Sequence, residues 1–452
     1  MDRRGAKWIA AVPDPSQARR ILPEQCRRHA HAAVSGPKRI NMSKILARLL
    51  LGLALASFMA PPLTAANVIA DWDAKALSII VPATPVALNQ REAALVHLAM
   101  FDAVNSIERR YRPYLVTLPA ASTTSREAAA VAAAAAVLAA LHPEAAADID
   151  ATLATSLATV PDGEAKAAGL KLGAAVAAKI IEARADDGAT APDAYRPKTR
   201  PGVYIPTPIT VGWAWTNMRP FALEKPSQFR PGPPPPLDSK EWAADLDEIK
   251  AYGSKASTAR SPQQTETARF WLAVGPAAYH QLPRQLIVAR KMNVLDSARF
   301  MALYSIAITD ALASVFDAKY HYELWRPITA IRNGDDASAA TWQPIDVTPM
   351  HPEYPCAHCI SAGAAAAVIE GVLGSRSIPE VTMTSSTAPG VTHRWNDLDA
   401  FCQEVSNGRI WAGFHYRFST VVGTDMGNRI GRYVVKNMMQ PVPEPAIVSG
   451  QR

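Results

Sequence analysis

The sequence has few cysteines and few charged residues for its length. Only four cysteines occur among 452 residues, and Asp, Glu, Lys and Arg together make up 19%. Four cysteines are too few for a scaffold held together by disulfides. Low charge together with 49% hydrophobic residues excludes wholesale disorder, because such a chain can bury a sizeable core. Alternating strand patterns are also scarce, and we therefore predict an all-α fold class.

Excess positive charge is absent from the body of the chain. The net charge is +7 over the whole sequence, but residues 1–41 carry +6 and residues 42–66 carry +2. The remainder, residues 67–452, therefore has a net charge of −1. Nucleic-acid binding requires a basic face or stripe. Because the body is nearly neutral, we expect no nucleic-acid partner.

Residues 42–66 have the pattern of a secretory signal peptide. Lys44 and Arg48 form a short positive region, which is followed by an apolar stretch and then by small residues suited to cleavage. The pattern predicts an exported protein, periplasmic or secreted. Residues 1–41 are interpreted as a non-native upstream extension, with the native start at Met42. The apolar stretch is shorter than a helix that crosses a bilayer, and no later segment is predicted to do so.

Helical periodicity dominates the rest of the chain. We predict an N-terminal helical region over residues 67–237, a helical catalytic region over residues 238–440 and a tail over residues 441–452. Many of the 37 prolines cluster at the end of the first region, which predicts a long ordered loop or a linker there. Helices are expected over residues 89–108, 126–141, 144–158, 164–184, 238–252, 262–274, 281–291 and 295–318.

The first of three chemical clusters is KYHYELWRPITAIR, which begins at Lys319 and follows a long predicted helix. Lys319 and Arg326 are seven residues apart, or two helical turns, so they can share one face. Two cations on one face repel each other unless an anion lies between them. A solvated surface would have the same pattern, so this cluster alone does not define a site.

The second cluster is HPEYPCAHC, which spans residues 351–359. Two prolines interrupt the chain, and a run of small residues then begins a predicted helix. Cys356, Ala357 and His358 therefore lie near a helix N-terminus, where free N–H groups and the helix dipole favour an anion. The alternative is a structural turn with buried thiols.

The third cluster places Arg409 six residues before His415, with Gly413 between them. Alone, it is compatible with an ordinary helix that carries a satisfied histidine. Together, however, the three clusters provide Lys319, Arg326 and Arg409 for a tetrahedral oxyanion. One histidine can bond the central atom, and another can act as acid or base. This combination predicts a phosphoryl-transfer site or its vanadate counterpart.

The order of these motifs resembles the vanadium-dependent haloperoxidases and the type 2 phosphatidic acid phosphatase superfamily. The order is Lys-x6-Arg-Pro, then Pro-x-x-His, then Arg-x5-His. The stretches KYHYELWRPITAIR, HPEYPCAHC and GFHYRF are most similar to the bacterial haloperoxidase-like branch. The resemblance is strong over residues 295–440 and weaker over residues 89–114, where AALVHLAMFDAVNSIERRYRPY lies. It implies a helical bundle of the haloperoxidase and acid phosphatase type.

The resemblance also implies roles for individual residues. His358 would be the general acid or base, and His415 would bind vanadium or, in a phosphatase, attack phosphorus. His351 matches a histidine near the halide or peroxide pocket of algal bromoperoxidases. Vanadate is the implied cofactor. The residues implied to bind vanadate or phosphate are Lys319, Arg326, Cys356, Ala357 and Arg409.

Three positions depart from the family pattern. Cys356 stands in place of a serine that donates its hydroxyl, and a thiol is a weaker donor. Ala357 stands in place of a glycine but still offers an N–H. Ser419 stands where the family often has an aspartate that orients the last histidine. These differences affect turnover more directly than anion binding.

The cysteines leave three alternatives open. A zinc site is one, built from the HPEYPCAHC cysteines and histidines with the distant Cys402, although nearby cations would repel the metal. A redox dithiol is the second. The third, which we prefer, is a disulfide between Cys359 and Cys402 that would join the second cluster to the third.

The leading functional hypothesis is a vanadate-dependent haloperoxidase that oxidises halide with hydrogen peroxide. The first alternative is a secreted acid phosphatase that works through a phosphohistidine at His415. The second is a non-catalytic relative that binds oxyanions. The two enzymes need the same anion site, and both act on small molecules: peroxide and halide, or a phosphate ester.

Overall fold

A first set of helices surrounds the early part of the core. The computed structural model describes residues 67–206 and 208–443. Both the proposed upstream extension and the proposed signal peptide lie outside the described residues. The helices of this set are α1 (Val68–Ala83), α2 (Val86–Glu108), α3 (Arg126–Leu141), α4 (Ala146–Leu157) and α5 (Glu164–Arg184).

Small residues allow the helices of this set to pack closely. On α5, Gly169 and Gly173 lie directly against α3, where an added Cβ would overlap the backbone carbonyls of Ser125 and Ala129. Alanine-rich α3 is largely buried as a result. The predicted helices at 126–141 and 164–184 have the predicted bounds, because high alanine propensity and close packing favour the same conformation.

The proline-rich stretch between the two helical sets is ordered by buried hydrogen bonds. Its regular elements are two short 3-10 helices, Ala214–Asn217 and Pro226–Phe229. Asp310 accepts hydrogen bonds from the backbone N–H groups of Phe221, Ala222 and Leu223 at 2.7, 2.7 and 3.0 Å. The loop is therefore fixed to the core and is not a free linker.

The second set of helices carries the three clusters. It consists of α6 (Lys240–Tyr252), α7 (Pro262–Phe270), α8 (Pro276–Tyr279), α9 (Gln281–Ala289), α10 (Val294–Tyr322), α11 (Pro327–Arg332), α12 (Ala357–Leu373), α13 (Leu398–Trp411) and α14 (Arg417–Asn437). A short 3-10 helix at Ala337–Thr341 follows α11.

Helix α10 is the central element, in contact with α2, α12 and α14. Its length and hydropathy would suffice to cross a membrane, which the sequence analysis did not anticipate. However, 89% of its apolar window is buried inside the protein. This is the environment of a helix in the core of the protein. Helix α10 contacts both sets of helices. The predicted boundary between the N-terminal region and the catalytic region, at residues 237 and 238, therefore stays a prediction from the sequence.

An antiparallel hairpin is the one sheet found in the described part of the chain. Strand β1 (Ser377–Ser385) pairs with β2 (Ala388–Asp397), with Val381 opposite Trp395. We did not predict these strands. The outer edge of β1 is closed by side chains of α9, since Gln285 both donates to the Thr382 carbonyl and accepts from its N–H. The hairpin is thereby protected from further strand pairing.

Glycines bring the start of α12 against α14. An added Cβ at Gly427 would overlap the carbonyl oxygen of Ile360, and one at Gly423 would lie 2.7 Å from the carbonyl oxygen of Cys356. The second and third clusters, which precede these helices, are therefore held together. The predicted all-α helical bundle is confirmed. The start of the predicted tail is anchored as well, because the Val442 N–H donates to the carbonyl of Arg110.

Candidate functional site

The ends of four helices converge on one buried site. Lys319 lies in the last turn of α10, and Arg326 caps the start of α11. Arg409 lies in the last turn of α13, and His415 is in the turn before α14. The exposed fractions of these four residues are only 0, 1, 2 and 1%, respectively. Residues far apart in sequence are therefore neighbours in the fold.

Lys319 is held by the loop that precedes α12. Its ammonium group donates to the carbonyl oxygens of Pro352 and Glu353 at 3.0 and 2.6 Å. An ammonium has three N–H donors, so one remains for a ligand. Burial, with the positive charge of Arg326 adding to it, lowers the pKa of Lys319 well below its usual value.

Arg326 joins the first cluster to the other two. Its Nε donates to the carbonyl of His351 at 2.9 Å, and Nη2 lies 3.0 Å from His351 Nδ1. Its Nη1 donates to the carbonyl of Phe414 at 2.9 Å and lies 3.3 Å from His415 Nε2. The planar guanidinium of Arg326 thus contacts both His351 and His415. His351 lies inside the site, while its proposed halide role stays a prediction.

Arg409 has the most unused hydrogen-bonding capacity of the three cations. Its Nη1 donates to the carbonyl of Trp271, and its guanidinium lies 4.8 Å from the centre of the Phe414 ring. Its buried Nε has no partner among residues 67–206 and 208–443. A buried charged donor without an acceptor is costly. A bound oxyanion would supply the missing acceptor.

A carboxylate that the sequence analysis did not assign orients His415. Glu353 Oε1 lies 2.8 Å from His415 Nδ1 and also accepts the Tyr416 N–H at 3.1 Å. An acceptor at Nδ1 places the proton there and leaves Nε2 with its lone pair. Ser419 was expected to take this position, but Glu353 supplies the charge that a serine lacks. The signal was present in the motif HPEYPCAHC, which contains one acid.

The site has more positive than negative charge. Three buried cations face one buried carboxylate, Glu353. Burial lowers the pKa of Arg326 to about 10 and that of Arg409 to about 9, with the Arg326 charge adding to the effect on Arg409. Burial raises the pKa of Glu353 to about 7, although Lys319 and Arg326 oppose this shift. The arrangement therefore lacks the negative charge that would balance it.

His358 faces the same cations from the first turn of α12. Burial lowers its pKa well below the usual value, and the charges of Arg409, Lys319 and Arg326 act in the same direction. Its Nε2 lies 3.1 Å from the carbonyl of Ala273. The N–H groups of Ala357 and His358 are among those that a helix start leaves without intrahelical acceptors, so both are suited to receive an anion.

The disulfide that we predicted is wrong. Cys356 is bonded to Cys359, with their Cα atoms 5.3 Å apart, and Cys402 is a free buried cysteine. Three-residue spacing around a helix start brings the two sulfurs together, whereas Cys402 lies in α13. In this state Cys356 has no S–H, so it cannot donate to the anion as the serine of the family would. The same bond removes both cysteines from the proposed zinc site and describes the oxidised form of the proposed dithiol.

A separate histidine cluster lies in the core. Asp73 Oδ1 accepts from His97 Nε2 and His280 Nδ1 at 2.8 and 2.7 Å, and Asp73 Oδ2 accepts from Arg284 at 2.8 Å. Asp73, His97 and His280 together have the composition of a metal site. The Arg284 cation already balances the carboxylate, however, and the hydrogen bonds occupy its oxygens. The cluster therefore acts as a buried polar contact between helices.

Comparison with known proteins agrees with the motifs. A family model described as the VCPO second helical-bundle domain matches residues 299–444. Vanadium chloroperoxidase from Curvularia inaequalis is 30% identical over an alignment that covers 32% of this chain and 29% of that protein. The chain therefore matches less than a third of that relative's length.

Two solved structures are similar over most of their length. A bacterial vanadium-dependent iodoperoxidase has a TM-score of 0.72 and 23% identity, over 83% of this chain and 97% of that one. A holo-type bacterial vanadium-dependent chloroperoxidase has a TM-score of 0.64 and 16% identity, over 83% and 93% of the two chains.

These findings confirm the resemblance to the vanadium haloperoxidases. The chain has the fold of that family, and the region that matches the family model, residues 299–444, contains all the cationic and histidine residues that we predicted for the site. The roles of those residues stay predictions. The site nevertheless fits vanadate chemically, because the unpartnered Arg409 Nε and the positive charge balance suit a four-oxygen anion, and the Nε2 lone pair of His415 is occupied only by a 3.3 Å contact with Arg326 Nη1.

Proposed function

We propose that the chain is a vanadate-dependent haloperoxidase that uses hydrogen peroxide to oxidise halide. The observation that carries the proposal is the burial of Lys319, Arg326 and Arg409 around His415 with a single carboxylate to balance them. A tetrahedral oxyanion is the ligand that best satisfies such a set of donors. The fold and the relatives support vanadate as that oxyanion.

Lys319, Arg326 and Arg409 would hold vanadate, with the helix-start N–H groups of Ala357 and His358 as further donors. When bound, vanadate supplies a Lewis-acid centre at which peroxide is activated toward halide. His415, kept with its proton on Nδ1 by Glu353, would present the Nε2 lone pair as the protein ligand in place of its present contact with Arg326.

Lys319 and His358 would have separate roles, polarisation of oxygen and proton transfer. Lys319 retains one free donor and can polarise oxygen in the site. His358 is uncharged at neutral pH because its pKa is lowered, so it can accept a proton and return it.

We also propose that the protein is exported, which accords with the disulfide between Cys356 and Cys359.

Halide oxidation by the full chain provides the test. Purified protein loaded with orthovanadate should brominate phenol red in the presence of bromide and peroxide, and the rate should disappear without vanadate. His415→Ala should abolish turnover, while the control His321→Ala, at the exposed end of α10, should retain it. Thermal melting of both variants checks that they fold.

The same preparation distinguishes the alternatives. Hydrolysis of p-nitrophenyl phosphate without vanadate, together with no bromination, would replace the proposal by a phosphatase that uses His415 as nucleophile. Tight binding of vanadate with neither reaction would identify a non-catalytic oxyanion-binding relative. Chloride, bromide and iodide should be assayed in parallel, since the neighbours differ in the halide named for them.

A further inference from the structure

A cleft of about 720 Å³ opens at the surface next to Arg326, one of the three cations of the buried site. Arg326 lies in its lining, and the same guanidinium is 3.3 Å from His415 Nε2. The rest of the lining comes from the proline-rich loop, from Lys255 after α6, from α11 and its end, and from the segment before residue 351. A molecule in this cleft would therefore lie next to Arg326, the residue that separates the cleft from His415.

The mouth of the cleft exposes apolar side chains. Ile205, Val347 and Met350 line it, and they are 43, 79 and 37% exposed. Single exposed apolar residues are ordinary, but a group of them around a concave site favours a ligand with an apolar body. Halide and peroxide do not need such a surface.

The cleft also has an excess of positive charge outside the anion site. Lys255 and Arg332 line it and are exposed, and the Nε of Arg332 donates to the carbonyl of Trp342 at 2.8 Å. Asp346 is the one acid in the lining, and its carboxylate accepts the Val347 N–H at 2.6 Å. Thr348 adds a buried hydroxyl that lacks a hydrogen-bond partner within the described chain.

We propose that this cleft binds an apolar organic acid as the acceptor for the oxidised halogen. The apolar body would lie against Ile205, Val347 and Met350, and its carboxylate or sulfonate would face Lys255 and Arg332. The attraction is electrostatic at Lys255 and Arg332 and hydrophobic at the three apolar side chains. Use of the acid as acceptor rests on the proposed function, whereas its binding does not.

Binding can be measured on the full chain without vanadate. We choose 1-anilinonaphthalene-8-sulfonate as the acidic probe and N-phenyl-1-naphthylamine as its uncharged counterpart, and follow fluorescence in phosphate-free buffer. The variant Lys255→Ala/Arg332→Ala should weaken the sulfonate by about fivefold to tenfold at low salt, and leave the neutral probe within about twofold. The control Lys171→Ala/Lys240→Ala removes two exposed cations elsewhere and should change neither.

Competition and mutation of the wall locate the probe. Octanoate should displace the sulfonate and 1-octanol should do so more weakly, while Val347→Asp should weaken both probes. Equal affinity of the sulfonate for wild type and for Lys255→Ala/Arg332→Ala would overturn the proposal. Complete displacement by inorganic phosphate alone would also overturn it, because the probe would then occupy the deeper anion site.

The outcome is independent of the proposed reaction. Probe binding with the predicted charge dependence but without halide oxidation would leave the cleft assignment intact and refute the proposed function. Halide oxidation without probe binding would support the proposed function and refute the cleft assignment. If both hold, an aryl acid with an electron-rich ring, such as a hydroxyphenyl acid, should exchange a ring hydrogen for bromine with a KM that rises in Lys255→Ala/Arg332→Ala.

Discussion

Replacing Glu353 by glutamine tests the charge balance of the site. The pKa of this buried carboxyl is raised from 4.5 to about 7, chiefly by burial. The folded state therefore holds the proton more tightly than the unfolded state between these two values. The stabilising effect of the neutral form is complete below pH 4.5 and is lost as pH rises through 7. At about 1.4 kcal/mol per pH unit, the loss amounts to roughly 3 kcal/mol.

Glu353→Gln cannot titrate and should lack this component. Other buried carboxyls contribute to the total pH dependence, notably Asp102 and Asp310, whose pKa values burial raises to about 6. The difference between wild type and variant isolates Glu353. We expect that difference in unfolding free energy to change by roughly 3 kcal/mol in favour of the variant between pH 4.5 and 7.5.

Urea unfolding at four pH values between 4.5 and 7.5 measures the effect. The control Glu224→Gln replaces an exposed glutamate and should give the same pH dependence as wild type. A wild-type-minus-variant difference that stays constant with pH would refute the reasoning. Under the proposed function, Glu353→Gln should also lower kcat by at least about tenfold, because His415 loses the charge that orients it.

Three further predictions concern other parts of the structure. Arg409→Ala should weaken phosphate binding by about tenfold or more in calorimetry, since it removes a charged donor from the site; unchanged affinity would contradict its assigned position. Reductant should lower the unfolding free energy by about 2 kcal/mol by opening the Cys356–Cys359 ring, and Cys402→Ser should keep that sensitivity. Gly427→Ala should cost about 1–3 kcal/mol in chemical denaturation, because its Cβ overlaps a carbonyl of α12.

The residues that form the site were more predictable than the group that orients His415. Three cations and two histidines at characteristic spacings were sufficient to predict that Lys319, Arg326, Arg409, His358 and His415 would meet, because helix ends bring such motifs together. Their local sequence is strongly constrained by turns and by helix starts. The same patterns predicted most helices of the bundle, where apolar periodicity and propensity agree.

The errors came from interactions that spacing does not encode. The Cys356–Cys359 bond depends on a Cα separation of 5.3 Å at a helix start, whereas we favoured a distant partner. Glu353 was overlooked because we expected the orienting group after His415, at Ser419. The β1–β2 hairpin is exposed on alternate faces and packs on α9, so its stability depends on tertiary contacts rather than on a distinct local pattern.

The position of Glu353 changes how the site is held together. An aspartate at residue 419 would orient His415 from within α14 and would be largely independent of the second cluster. Glu353 instead comes from the loop before α12, and its own carbonyl also binds Lys319. One short segment therefore orients the histidine, holds a cation and ends at the Cys356–Cys359 disulfide. Because these contacts share a backbone, a change that loosens this segment should disturb both anion binding and the orientation of His415. A change confined to α14 should instead affect one of these two properties without the other.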